Sequence, residues 1–400
     1  MAGSKVKLAV GLDVGSARTR CAVCVVEDGK IRFLGSGEAE GRGWAKGRIA
    51  DRAQLSDSVK AAAREAERQA QIGFDAAVVG LGGDAIKGAN ARGVYELGRP
   101  RQIDESDMRY AVELACRVRL EDDRILLQVL PQDFTLDGRT GILNPREYRG
   151  SRLEANVHVV TTSAIEHQGL VSAVHHAHLA VEETVFEAMA AGYASVLPEE
   201  REKGVAVVDI GLHSTDLAIY DGEAMVLAAS LPVSADHFSR DVSAGFHVTH
   251  EDAERLKIEY GCAILGLTAD NTFIEVPSGE GRAPREAPRR ELNDMLEARA
   301  QFLFEYVQRK VIEAGMDRKL LEGVVLCGGG ARLNGMCDVA EQVLNCPARN
   351  GLPVGILDWP NRLNHPGWTT AAGLAMYSGR LKQDRGGRKP PPPFLNLLIR

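Results

Sequence analysis

Leu8-Ala-Val-Gly-Leu-Asp13-Val-Gly15-Ser16-Ala17-Arg18-Thr19, near the start of the chain, has a counterpart far along it. That counterpart is Val205-Ala-Val-Val-Asp209-Ile-Gly211-Leu-His213-Ser214-Thr215-Asp216. Each stretch is an apolar run suited to a buried strand, then an Asp, an apolar residue, a Gly and small or hydroxyl residues. A second apolar run follows. This order predicts a β-hairpin with a tight turn. The Gly lets backbone N–H groups approach a phosphate, and the turn forms an anion-binding concavity. The expected phosphate-lining residues are Gly15, Ser16, Ala17 and Arg18 in the first turn and Gly211, Ser214 and Thr215 in the second. Asp13 and Asp209, at the strand ends, are expected to hold Mg²⁺ through bound waters, because Mg²⁺ keeps much of its hydration. One such turn also fits an ordinary hairpin. Two, each opening an α/β segment, predict a duplicated domain pair that clamps one nucleotide.

A third segment points the same way. Gly323-Val-Val-Leu-Cys-Gly328-Gly329-Gly330-Ala331-Arg332-Leu333 is an apolar strand running into three glycines and then a predicted helix. Three glycines let a flat base or ribose lie directly on backbone, and the Arg332 guanidinium can cover the face of an adenine. Alone, the segment also fits an ordinary strand-to-helix turn.

The composition bounds the rest. At 400 residues, 44% hydrophobic and 26% charged, the chain has room for two or more globular domains. A net charge of −7 supplies no basic field, so no nucleic-acid partner is expected. The seven cysteines are scattered, which argues against a disulfide framework. Cys21-Ala-Val-Cys24 has redox-motif spacing, but it lies in the predicted return strand of the first hairpin, where residues three apart face opposite sides of a sheet. No signal peptide opens the sequence and no apolar run reaches the ~20 residues of a spanning helix, so a cytosolic location is expected.

Along the chain, residues 5–35 read as a strand meander. A helix is predicted from Leu55 to Gln71, followed by a strand at Ala76–Gly80 and a break at Gly82-Gly83-Asp84. Residues 85–155 read as a small separate unit. It has strands near Gly93–Tyr95, Ile125–Leu130 and Leu153–Val160, and a helix at Glu105–Arg119 capped by Asp104 or Ser106. Turns are expected at Asp137-Gly138 and Asn144-Pro145. Ser163–Tyr193 is predicted helical with short breaks. Helices at His250–Gly261 and Glu291–Glu313 flank Pro277–Arg290, read as an exposed, mobile loop. The end of the chain is a basic, proline-rich linker, Gly386–Pro393, and an apolar tip, Phe394–Arg400.

In this order, the two Asp-Gly hairpins, the inserted unit, the connecting helix and the triple glycine resemble the actin-like ATPase superfamily. Ala253-Glu254-Arg-Leu-Lys257-Ile-Glu-Tyr-Gly261 is similar to its helix whose Glu and Lys grip ribose and base. Glu254 and Lys257 sit on one helix face, which also fits a solvated ion pair. Within the superfamily the chain resembles the bacterial cell-division family FtsA from about Lys7 to Leu381. The stretches that carry this are Lys46-Gly47-Arg48-Ile49-Ala50-Asp51, Gly80-Leu-Gly-Gly83, Leu130-Pro-Gln-Asp-Phe134, Arg152-Leu-Glu-Ala155 and Thr369-Thr-Ala-Ala-Gly373. The resemblance implies an α/β actin-like fold of two duplicated RNase H-like domains with an FtsA-type 1C (SHS2-like) insertion. Subdomain 1A would be 5–84 with 160–204 and 350–381, and 1C would be 85–159. Subdomain 2A would be 205–235 with 324–349, and 2B would be 236–323, leaving 382–400 as linker and membrane-targeting tail, a stretch that also fits a disordered tail.

The resemblance also implies ATP and Mg²⁺ as ligands and at most weak hydrolysis. Glu187 would orient the attacking water, although it also fits a helix cap or an intrahelical pair. Implied partners are the C-terminal peptide of FtsZ on 2B, further copies of the chain, other division proteins on 1C, and lipid at the tail. That places the protein on the cytoplasmic face of the membrane at the division site. The chain departs from the family at its second turn, usually Gly-Gly-Gly-Thr-Thr-Asp, where Leu212 and His213 replace glycines. Ser234-Ala235 replaces a later glycine pair. These changes bear on hydrolysis. Two other readings stand beside it, a PilM-like adaptor of type IV pili and a sugar kinase. A kinase would need an aspartate base at a substrate cleft and would lack the insertion.

Overall fold

Apolar runs that alternate or bury both faces open each half of the chain, and each half builds the same five-stranded frame. The computed structural model describes residues 7–117, 120–269, 271–278 and 283–384. In the first half, β1 (Lys7–Val14), β2 (Arg18–Glu27) and β3 (Lys30–Glu40) form an antiparallel meander. A small hairpin, β4 (Trp44–Ala45) and β5 (Arg48–Ile49), leads to α1 (Arg52–Ala70). Asp51 caps α1 by accepting from the amides of Ala53 and Gln54, and Leu55, Val59, Ala62 and Ala66 form its buried stripe. β6 (Ala76–Leu81) then runs parallel to β1.

The inserted unit follows: β7 (Lys87–Gln102), α2 (Glu105–Ala115), β8 (Arg124–Leu136), β9 (Arg139–Ile142) and β10 (Arg149–Ser163). Asp104 and Asp107 form a reciprocal capping box on α2. Asp137 and Gly138, at φ of 47° and 85°, make the β8–β9 turn. The chain returns through α3 (Ala164–His176) to β11 (Ala180–Phe186), α4 (Glu187–Ser195) and the short α5 (Pro198–Glu202). Here the expected run of helix over Ser163–Tyr193 is corrected. Val181–Phe186 is a strand, parallel to β6. Its two glutamates resembled a helix surface, but Tyr377 donates to Glu183 (2.8 Å) and Lys382 pairs with Glu182 (3.0 Å), so acids are tolerated on this strand.

The second half repeats the plan with β12 (Val205–Ile210), β13 (Thr215–Asp221) and β14 (Ala224–Leu231), then α6 (Ala235–Phe246) and α7 (His250–Tyr260). A two-stranded ribbon, β15 (Phe273–Val276) and β16 (Arg285–Pro288), precedes α8 (Arg289–Glu313). The segment read as a loop at Pro277–Arg290 is thus partly strand, held by the pairing and by buried Ala287. β17 (Val324–Cys327), α9 (Met336–Leu344), β18 (Ala348–Asn350), β19 (Ile356–Leu357) and α10 (Thr369–Asp384) complete the chain. The linker and tail beyond Asp384, with their expected lipid contact, lie outside the described residues.

The two large sheets have the orders β11-β6-β1-β2-β3-β19 and β18-β17-β12-β13-β14-β7-β10-β8-β9. Read from the meander outward, β3-β2-β1-β6-β11 and β14-β13-β12-β17-β18 are one topology used twice. The insert extends the second lobe's sheet through a single pairing, Lys87 with Ala229. Its root is pinned by Arg124, which donates to the carbonyls of Ala85 (2.8 Å) and Thr161 (2.9 Å). Cys21 belongs to one core cluster and Cys24 to another, on opposite faces of β2. α10 lies between β1 and α4 at backbone distance, with Gly11 against Ala371 and Ala375, and Gly373 against Ala190.

Candidate functional site

The duplicated frame brings the two Asp-Gly turns to one cleft. Asp13 is the penultimate residue of β1 and Asp209 of β12, and both are buried. Register places Arg20 opposite Asp13 in the first lobe and Asp216 opposite Asp209 in the second, so the two lobes differ in charge at equivalent places. The second turn is closed by the Gly211 amide donating to Ser214 O (2.8 Å). α6 docks on it, with the amides of Ala235 and Asp236 donating to the carbonyls of Gly211 (3.0 Å) and Leu212 (2.9 Å). Thr19 and Thr215, again equivalent, are fully buried with unpartnered hydroxyls. Gly15, Ser16, Ser214 and Gly211 are half-buried, while Ala17 and Arg18 are exposed.

Glu187 is the first residue of α4, at the end of β11, and points to the same place. A side chain at Gly82 would collide with both the Glu187 and the Asp216 carboxylates, so these acids approach from opposite lobes across one glycine. The Gly83 amide donates to Asp216 (3.1 Å). Thr370, from α10, donates to Asp209 (2.7 Å). Gly328, at φ 81°, abuts the other Asp209 oxygen, and Gly329 faces open space. These are the positions where only glycine leaves the backbone accessible.

Three buried acids and the half-buried Glu187, with few cations beside them, are costly. Burial pushes Asp13 up to about 7, with Asp209 and Glu38 adding and Arg20 opposing. Asp216 is likewise raised to about 7 by burial and then by Asp209. Asp209 is raised by burial against its Thr370 bond and Arg20, and Glu187 is raised well above the usual range by burial and then by Asp13, Asp216 and Asp209. Such a cluster suits a divalent cation. Among the described residues no three His, Cys, Asp or Glu side chains are placed to hold a metal alone, which fits an ion held through water and phosphate oxygens.

A pH dependence follows. The native acids keep protons that the unfolded chain releases near ~4, so their stabilising share is present below that pH and is lost as pH rises to about 7. Melting of the ligand-free protein should therefore occur at lower temperature at pH 8 than at pH 5. Asp13→Asn should flatten that difference, and an undiminished difference would contradict the assignment.

The second-lobe residues also converge. Lys257 is buried and donates to Glu254 (2.7 Å), Ser239 (2.8 Å) and the Ala235 carbonyl (3.2 Å), while Ser239 also bonds Glu254. Glu254 and Lys257 are thus linked to each other and, through Ala235, to the second turn. Arg332 is exposed on the turn after Gly328-Gly329-Gly330. The strap behind it binds the segment that follows α7, with the Ala263 amide donating to Asn334 O (2.7 Å). Sequence reasoning overlooked Asp216, Thr370 and the Gly82-Gly83 turn. Asp216 closes the second motif, Gly82-Gly83 reads as a chain break and Thr370 lies in a stretch that resembles the family, but none of them is assigned a role at the site from sequence.

Two lobes of one topology, facing across paired glycine turns and buried acids, define the actin-like ATPase fold. Solved structures agree. The PilM–PilN type IV pilus biogenesis complex superposes with a TM-score of 0.65 at 17% identity, over 93% of this chain and 98% of that one. MreB5 of Spiroplasma citri bound to ADP gives 0.56 at 15% identity, over 95% and 99%. At these identities the likeness is one of fold. Sequence comparison is more specific. The family described as "Cell division protein FtsA" matches residues 206–373, and "SHS2 domain inserted in FTSA" matches residues 83–161. Cell division protein FtsA of Pseudomonas aeruginosa is 32% identical over 381 residues, covering 95% of this chain and 91% of its own length. That of Escherichia coli is 31% identical over 379 residues, covering 93% and 90%. The chain belongs to the FtsA family.

Proposed function

We propose that this protein is a nucleotide-dependent cell-division scaffold that binds Mg-ATP between its lobes, assembles with copies of itself, and ties FtsZ polymers to the cytoplasmic face of the membrane. The observation that carries the nucleotide part is the convergence of Asp13, Asp209, Asp216 and Glu187, from both lobes, beside two glycine turns. In this reading Asp13 and Asp209 hold the ion through water, and the turn residues Gly15, Ser16, Gly211 and Ser214 face the phosphates. Glu254, Lys257, Gly328–Gly330 and Arg332 form the rim for ribose and base. Bound Mg²⁺ would neutralise the phosphate oxygens and the acid cluster together. Gly83 and Thr370 fix the orientations of Asp216 and Asp209 by hydrogen bonds.

Glu187 sits at the helix start, backed by Gly80 and Gly82, where a carboxylate can align or deprotonate a water. Glu187→Ala should lower any ATP hydrolysis about 100-fold while ATP still binds. Hydrolysis at the wild-type rate would remove Glu187 from the mechanism.

The partner assignments rest on family membership. The 236–323 segment carries exposed Ile258, Leu267 and Phe273, an apolar surface suited to the FtsZ C-terminal peptide. The insert is the proposed seat for other division proteins, and the basic and apolar tail the proposed lipid contact. The decisive test is sedimentation on anionic vesicles. Full-length chain with Mg-ATP should carry FtsZ into the pellet, and removal of the FtsZ C-terminal peptide should abolish this. Retention of a pilus-protein peptide in place of FtsZ would favour the PilM-like adaptor and defeat this reading.

A further inference from the structure

The β4–β5 hairpin has a turn at Lys46-Gly47, with φ of 51° and 78°. Positive φ at both central residues is the tight turn that matches strand twist, and Gly takes the second place at little cost. The stalk is firmly seated. Trp44 and Ile49 pack against the first lobe's core, and the amides of Ala50 (2.8 Å) and Asp51 (3.0 Å) both donate to Gly43 O. Asp51 then caps α1, so hairpin and helix are one braced unit.

The tip of this unit reaches the other lobe. A Cβ on Gly47 would stand 3.3 Å from the Cβ of His213 and 3.8 Å from its carbonyl oxygen. His213 belongs to the second glycine turn, at a place where the FtsA pattern described above has glycine. Its Nδ1 is enclosed and has no hydrogen-bond partner. A brace within the first lobe lies beside this contact. Arg48 pairs with Asp84 (3.4 Å), next to Gly83, whose amide holds Asp216. The contact therefore joins two turns that are each closed by their own backbone bonds, on opposite sides of the cleft and at its phosphate-turn end. A glycine at position 213 would leave the hairpin tip facing only the backbone carbonyl of that residue.

We propose that the Lys46-Gly47 turn and His213 form a clasp across the cleft mouth, which retains a bound nucleotide and slows its release. His213 is in this sense a positioning residue. The inference rests on the nucleotide reading of the cleft. On this reading the lobes part at this end to release the nucleotide, and the side chain at 213 is what the hairpin must clear.

The test is the dissociation rate of a fluorescent ADP analogue from the full chain, chased with excess ADP and Mg²⁺. His213→Gly should release it about tenfold faster, since changes at one interface appear mainly in dissociation. A Gly47→Cys, His213→Cys pair would place its Cβ atoms 3.3 Å apart, a little under the ~3.5–4.5 Å of disulfides, so the hairpin tip must give by a few tenths of an ångström and hold φ 78° at some cost in strain. Oxidised, the pair should hold the analogue at least about tenfold longer than wild type, and dithiothreitol should restore release. Equal release rates from wild type and His213→Gly, or from the cross-linked and reduced pair, overturn the clasp and leave the site reading intact. A wild-type chain that binds no analogue overturns the site reading, and the clasp with it.

Discussion

Alanine at Asp13 or Asp209 should weaken Mg-ATP binding about 10- to 100-fold, the scale seen when groups that orient a metal's shell are removed. The same change at Asp13 should raise the melting temperature of the ligand-free protein at pH 8. Asp13 is buried with its carboxyl pushed up to about 7, so at pH 8 the folded chain carries a charge that burial disfavours. Opposite signs for ligand affinity and stability distinguish a functional acid from a structural one. Asp209→Ala differs, because Thr370 would lose its acceptor, and there the gain in stability should be smaller or absent. Isothermal titration with Mg-ATP and thermal melts check both halves. Unchanged affinity in both variants would sink the site assignment.

Gly373→Ala is the other large expected effect. The added methyl would fall on the main-chain carbonyl of Ala190, with the Ala190 carbon 2.5 Å away. Backbone cannot rotate aside as a side chain can, so α10 must shift as a whole. A cost of about 3 kcal/mol is expected, the upper end for overpacked cores, read as a lower denaturant midpoint. Because α10 also carries Thr370 to Asp209, nucleotide affinity should fall in parallel. A variant of wild-type stability would mean that the α4–α10 contact is looser than described.

What could be read in the chain beforehand was local. Asp13-Val-Gly15 and Asp209-Ile-Gly211 announce themselves because strand, acid and glycine are contiguous, and α1 and α2 because cap and apolar stripe lie within a few turns. β11 was missed for a definable reason. Glu182 and Glu183 broke its apolar alternation, and the residues that accommodate them, Tyr377 and Lys382, lie at the far end of the sequence. β-branched Val181, Thr184 and Val185 were the available signal. Thr370 on Asp209 and Gly83 on Asp216 were equally invisible, since each joins segments remote in sequence. The site's acids were legible; the groups that aim them were not.

The nine-stranded sheet carries a mechanical implication. The insert leaves the first lobe after Leu81 and re-enters it after Ser163, so the chain tethers it there. By sheet pairing it is an outgrowth of the second lobe, held by Lys87 against Ala229 and by Gln132 on the Met225 carbonyl (3.0 Å), while Gln128 also accepts from the Phe186 amide of the first lobe (3.1 Å). When such lobes hinge, the insert cannot stay at rest relative to both. Either the Lys87–Ala229 seam slips, or the insert swings like a crank about its root. Its outermost strand, β9, lies at the far end of that arm and would travel the furthest. Whatever grips the insert from outside thereby gains a reading of how far the cleft is shut.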